Sequence, residues 1–338
     1  MKSILRFLRV PEWYDSKIPM LLSAPLYFYV LDAPEPRRAA LFLLVFFVFL
    51  FTYLAFGYVV NDFSDMEADR RAGKKKLITG ISRPWVAAII ALLILAGAAP
   101  LCFFSQFDWK AALILLLNYL LGASYSLKPL RFKERGIAGL IVSSAAQRCT
   151  PLLVLPFLWS IPPLLFIGWE ALSFLAGLRY ILIHQYKDYE ADVSSGVRTF
   201  ATKHKKASAL GVYICFGAEA LTTLLLAVPL ALRYWWFIAA PVLYALLALL
   251  AGYAVRRLMQ QPFFLGFTYV PLEDFFNVLL PLTLAAIWTW QTRSVWPVAA
   301  LVLLLLYLLP TIRGKTALMA LPIRVKILGL KPDQEGGD

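Results

Sequence analysis

Cysteine is scarce in this 338-residue chain: there are three, Cys102, Cys149 and Cys215. They lie far apart inside apolar runs, which excludes a disulfide framework and a cysteine zinc site. Charge is scarce too, since Asp, Glu, Lys and Arg make up 16% of the chain, against about a quarter in soluble domains. The short alternating stretches of a membrane β-barrel are missing. No cleavable leader is expected: Lys2, Arg6, Arg9 and Lys17 punctuate the start, with no separate apolar core and small-residue cleavage site. What is abundant is hydrophobic, 61% of all residues. The composition is that of an integral membrane protein made of α-helices.

Apolar runs occupy residues 17–31, 39–60, 84–104, 109–126, 137–158, 161–183, 207–232, 234–255, 271–290 and 295–312. Most have the length of a membrane-spanning helix. If the N-terminus is cytoplasmic, 26 of the 33 Lys and Arg fall in inside segments, five fall in outside loops, and Arg148 and Arg179 lie within helices. That bias is a strong positive-inside signal. The net charge of +13 is thereby explained by topology, and nucleic-acid binding is not expected.

Against this apolar background two acidic clusters stand out: Asn61-Asp62-Phe63-Ser64-Asp65-Met66-Glu67-Ala68-Asp69, and Asp188-Tyr189-Glu190-Ala191-Asp192. Carboxylates this dense beside membrane helices are costly unless a cation neutralises them. Asp65 and Asp69 are four apart, as are Asp188 and Asp192, so each pair shares a helix face. Four apolar runs separate the clusters, and each is followed by glycine and basic residues, as in a weak parallel repeat with two half-sites. Between them lies a short loop with four cations, Lys128, Arg131, Lys133 and Arg135. Alone, either cluster could be a solvated helix end, with Asn61 or Asp62 as a cap. Lys128 and Arg131 could act only in topology, and Lys74–Lys76 and Lys203–Lys206 could anchor to anionic lipid.

These motifs make the chain resemble the UbiA superfamily of intramembrane prenyltransferases. The first cluster matches that family's NDxxDxxxD motif, and the second its DxxxD motif. Tyr125, Ser126, Lys128 and Arg131 are similar to its Tyr/Lys/Arg loop. Arg9, Trp13 and Lys17 loosely resemble its Arg-Pro-x-x-Trp-x-Lys stretch, with Val10 intruding before Pro11. The resemblance implies an all-α, polytopic transmembrane bundle of nine to ten helices around a central apolar cavity, with a cytoplasmic polar cap. The chain is then one domain, 1–338, with pseudo-repeats at about 17–135 and 136–258, C-terminal helices over 271–312 and an interfacial or disordered tail over 316–338. A bacterial-type inner membrane, with both termini and the motifs cytoplasmic, is the expected setting.

The implied reaction is Mg²⁺-dependent transfer of a polyprenyl group from prenyl diphosphate to a lipophilic acceptor, an aromatic or quinone-precursor ring, with release of pyrophosphate. Two Mg²⁺ ions would be held by Asn61, Asp65 and Asp69 on one side and Asp188 and Asp192 on the other, since Mg²⁺ takes few protein carboxylates per ion. Lys128 and Arg131 would bind diphosphate oxygens, with Arg198 as a helper and Asp62 and Tyr125 close by. A terpene cyclase would keep the same diphosphate site without an acceptor, and an ion-coupled transporter is the reading of another class. Arg148, midway along a helix, is expected to pair with Glu170 or share the cavity with it, either as a structural pair or as an acceptor-binding group. Asn118, Gln147 and Glu219 are weaker cavity candidates. His184, near the second motif, is either a helix-end group or a proton carrier. Glu273, Asp274 and Asn277 suit a first helical turn or the acceptor side of the mouth.

Overall fold

The structure, a computed structural model, describes residues 2–71, 76–194, 196, 199–258 and 275–328. Among these, all regular structure is helical. The main helices are α1 (Ile18–Asp32), α2 (Pro36–Arg71), α3 (Arg83–Phe104), α4 (Trp109–Ser126), α5 (Ile137–Phe157), α6 (Pro163–Lys187), α7 (Lys205–Arg233), α8 (Ala239–Leu258), α9 (Leu280–Thr292) and α10 (Val295–Leu328). Six of them, α2, α3, α5, α6, α7 and α10, contain stretches long and apolar enough to cross a membrane. Leu95, Leu164, Leu232 and Leu303 are more than half exposed on the outside of the bundle. An apolar exterior of this kind suits lipid rather than water.

Helix ends are set by local chemistry. The Glu35 carboxylate accepts the Arg37 and Arg38 backbone N–H groups at 2.8 and 2.6 Å, opening α2. Asp108 caps α4 through the Lys110 N–H at 2.7 Å. The helix α2 does not stop where its apolar run stops. It continues through the whole first acidic cluster to Arg71, where Arg70 donates to the Thr79 carbonyl at 2.8 Å.

The helix α1 forms the centre of the core, buried from Ile18 to Val30, and packs against α9 and α2. Tyr27 meets Trp169 edge-on, and Tyr29 touches both Trp159 and Trp288. The helices α6 and α7 pack along their length and share a fully buried ion pair, Arg179 Nε to Glu219 Oε1 at 2.7 Å. Glu219 is thus Arg179's partner.

The helix α5 is irregular. It is α-helical to Ser144, π over Ala145–Cys149 and 3-10 over Thr150–Phe157. Pro151 and Pro156 supply no N–H to the preceding turn, so the hydrogen-bond ladder re-registers there. The wide turn carries Gln147 and Arg148.

One expectation changes. Arg148 and Glu170 form no ion pair, and only Arg148 lines the cavity. The re-registered turn instead carries the guanidinium to the Ser16 carbonyl at 2.8 Å and beside the Tyr180 ring. Over Thr316–Leu328 the tail continues α10 as one helix. Arg198, Lys74, Lys75, Glu273, Asp274 and residues 329–338 lie outside the described residues.

Candidate active site

The helices α2, α4 and α6 deliver their C-terminal ends to one side of the bundle. Two connected chambers lie there. The outer one, about 370 Å³, is lined by Asn61 and Asp65 from the first cluster and by Asp188 and Asp192 from the second, with Arg131, Lys133 and Thr199. The inner one, about 620 Å³, reaches into the bundle past Tyr58 and Gly57 to Gln147 and Arg148. Asn61, Tyr125, Ile181 and His184 line both.

The first cluster divides its carboxylates between two cations. Asp65 faces the outer chamber, where Lys133 Nζ lies 2.8 and 2.7 Å from its two oxygens, 3.0 Å from Asn61 Oδ1 and 3.1 Å from Ser64 Oγ. Arg131 Nη2 adds a bond to Asp65 at 3.0 Å. Ser126 donates to Asn61 Oδ1 at 3.0 Å and fixes that side chain. Asp62 and Asp69, seven residues apart and so on one stripe of α2, turn away. Lys76 Nζ bridges them at 3.0 and 2.7 Å, and Arg9 reaches Asp62 at 3.2 Å. Neither carboxylate lines a chamber.

The cations respond to these surroundings. Burial lowers the Lys133 pKa; Asp65 opposes the fall and the neighbouring Arg131 adds to it. Burial also opposes the charge on Lys76, but the Asp69 and Asp62 contacts outweigh it and raise its pKa. Asp192 is raised by burial and then by the Asp188 charge, with a bond from Thr199 working the other way. His184 Nε2 lies 3.4 Å from Asp188, one turn along.

Lys128 is exposed and lines neither chamber. The cation that enters with Arg131 is Lys133. Sequence spacing concealed this, because Arg131 takes a left-handed backbone conformation (φ 40°) and a 3-10 turn over Phe132–Glu134 then folds Lys133 inward. Arg148, Tyr125 and Gln147 lie in the lining of the inner chamber. Asn118 is buried and spends its amide on the Ile114 carbonyl. Asn277 donates to the Ser16 carbonyl at 3.2 Å.

The donor set suits a hard divalent cation. Both clusters present oxygen to the outer chamber, and the four-oxygen cage around Lys133 Nζ shows that a compact positive charge fits there. Among the described residues no three His, Cys, Asp or Glu groups converge on one point. The first cluster turns one carboxylate, Asp65, and the second two, Asp188 and Asp192, to the outer chamber, numbers that suit Mg²⁺ when phosphate oxygens complete its shell.

The sequence pattern of the UbiA prenyltransferase family matches residues 20–262. No curated protein matches the chain. Among solved structures, one reporting structural and mechanistic insights into digeranylgeranylglyceryl phosphate synthase in membranes superposes with a TM-score of 0.55 at 19% identity, over 87% of this chain and 99% of that one. A UbiA homolog from Archaeoglobus fulgidus bound to GPP and Mg²⁺ gives 0.58 at 16% identity, over 84% and 99%. The same homolog bound to DMAPP and Mg²⁺ gives 0.58 at 14%, over 84% and 98%. At these identities the likeness establishes the fold.

Proposed function

The chain belongs to the UbiA prenyltransferase family, and from that premise we propose that it moves a prenyl group from prenyl diphosphate to a lipophilic aromatic or quinone-precursor acceptor, releasing pyrophosphate. The observation that carries this reading is the convergence of Asp65, Asp188 and Asp192 with Arg131 and Lys133 on one chamber that opens inward. Carboxylates alone there would repel a diphosphate. Carboxylates with divalent cations, ringed by Arg and Lys, bind one. The solved homolog binds GPP or DMAPP together with Mg²⁺, which supports the same pairing in this chain.

Asn61 and Asp65 on one wall, and Asp188 and Asp192 on the other, would hold two Mg²⁺ ions. The ions would neutralise charge building on the diphosphate as its bond to C1 breaks. Arg131 and Lys133 would take the diphosphate's outer oxygens. Asp62 and Asp69, tied through Lys76 and Arg9, would hold the cluster's helix turn in place. The allylic carbon would then face the inner chamber, away from water. There the acceptor ring would form the new C–C bond and lose a proton; His184, in the lining of both chambers, is placed to receive it. Arg148 and Gln147 would orient the acceptor's oxygen substituents.

The test is direct. Purified protein with Mg²⁺ and prenyl diphosphates of several lengths should release pyrophosphate only when an aromatic acceptor is present. Asp65→Ala and Asp188→Ala should abolish release. Acceptor-independent hydrocarbon or alcohol would instead identify a cyclase, and no turnover with any pair would remove the enzyme reading.

A further inference from the structure

Three helices each place one glycine in the lining of the inner chamber. Asn61, Tyr125 and Ile181 line both chambers from α2, α4 and α6. About one turn deeper on the same helices, ~4.5–6 Å at helical rise, stand Gly57, Gly122 and Gly177. The three glycines differ. A Cβ on Gly177 would crowd the Ser144 backbone at 3.1 Å, and one on Gly122 would make ordinary contact with the Phe56 ring and the Tyr53 hydroxyl at 3.4 Å. Close packing accounts for Gly177, and Gly122 stands against packed neighbours. A Cβ on Gly57 would meet nothing within 4 Å. Nor does Gly57 take a left-handed conformation. Glycine inside a helix is less stable than alanine, so Gly57 carries that cost with no return in packing or backbone freedom. What it leaves is open bore.

We propose that Gly57 fixes the bore through which the prenyl chain leaves the diphosphate chamber, and so selects which prenyl diphosphates enter. The inference rests on the reading of the outer chamber as the diphosphate site. With the diphosphate held at Asn61 and Asp65, the methyl-branched chain begins one step inward, at the level of Gly57. A side chain there fills the path of the chain and leaves the carboxylates above it untouched.

Binding to the full chain in detergent separates the possibilities. The probes are inorganic pyrophosphate and the dimethylallyl, geranyl and geranylgeranyl diphosphates, each with Mg²⁺. The proteins are wild type, Gly57→Ala, Gly57→Leu and Gly217→Leu; at Gly217 a Cβ also meets open space, but on α7 and in the lining of neither chamber. Pyrophosphate affinity should be the same in all four. Prenyl diphosphate affinity should fall about tenfold or more in Gly57→Leu, the scale on which a pocket discriminates a methylene-sized misfit. It should fall less in Gly57→Ala and hold in Gly217→Leu. Unchanged prenyl diphosphate affinity in a folded Gly57→Leu overturns the proposal and leaves the diphosphate site standing. If the leucine variant does not fold, Gly57→Ala decides: loss for prenyl diphosphates with pyrophosphate binding retained supports the bore, and no loss overturns it. Wild type that binds neither pyrophosphate nor prenyl diphosphate overturns the diphosphate reading itself, and the bore with it.

Discussion

Lys133 holds Asp65 by both carboxylate oxygens while Lys128, five residues earlier, points to solvent. The two lysines are chemically identical, so position alone separates their effects. Lys133→Ala removes a charge-assisted contact worth about 1.5–3 kcal/mol, which should raise KM for prenyl diphosphate by about 10- to 100-fold. Lys128→Ala should leave KM within a small factor of wild type. Steady-state kinetics at fixed Mg²⁺ checks the pair, and equal effects would show that the Lys133 placement does not govern binding. Asp62 and Asp69 belong to the same motif as Asp65 but sit on Lys76. Lys76→Met should therefore act differently from Lys133→Ala. It removes the cation that bridges two buried carboxylates, so its effect should be a lower melting temperature, with KM moved much less than by Lys133→Ala. The acidic motifs themselves were plain in the sequence. The split of the first one between two cations was not, because it depends on which loop lysine folds back over which side of α2.

At the scale of elements, α2 and α6 each bring half of the site, and the outer chamber lies between their ends. A ligand that spans both halves would tie them together. Mg²⁺ with pyrophosphate should raise the melting temperature of wild type, since ligand at about a hundred times its Kd adds about 2.7 kcal/mol. Asp65→Asn or Asp188→Asn should each erase the rise, as would a chelator. A rise that survives either substitution would mean that one half suffices. The helices α6 and α7 are joined more deeply by the Arg179–Glu219 pair. Removing one partner of a buried pair leaves the other charge stranded, at about 3–5 kcal/mol. Arg179→Leu or Glu219→Leu alone should thus sharply reduce the yield of folded protein, while the double Leu variant should recover much of it. Size-exclusion profiles in detergent would show the difference. Hydropathy marked α6 and α7 clearly, but it could not pair Arg179 with Glu219, which lie forty residues apart in sequence. Nor did it show the π and 3-10 turns of α5, where Pro151 and Pro156 break a ladder inside an unbroken apolar run.

For the whole molecule, the proposed site and the proposed orientation rest on the same charges. The C-terminal end of α2 and the segments that follow α4 and α6 carry the acidic motifs and the cations that meet them, and they come together at one end of the bundle. The opposite ends of α3 and α4 meet in a turn around Gln106 and Phe107. Lys and Arg cluster at the motif end, and the positive-inside rule makes that end the one expected to face the cytoplasm. A cysteine introduced at Glu134 and one at Phe107, each an exposed position, should therefore react with a membrane-impermeant thiol reagent from opposite sides. In sealed right-side-out vesicles Phe107→Cys should label and Glu134→Cys should not, and inverted vesicles should reverse the pattern. The three native cysteines give little background, since each is at least partly buried in an apolar helix. Labelling of both positions from one side would break the link between charge and orientation. The link has a physical basis: the cations that attract a diphosphate are the same groups whose transfer across the bilayer is costly. Building the site at the charged end would therefore fix both where the diphosphate enters and which way the chain inserts.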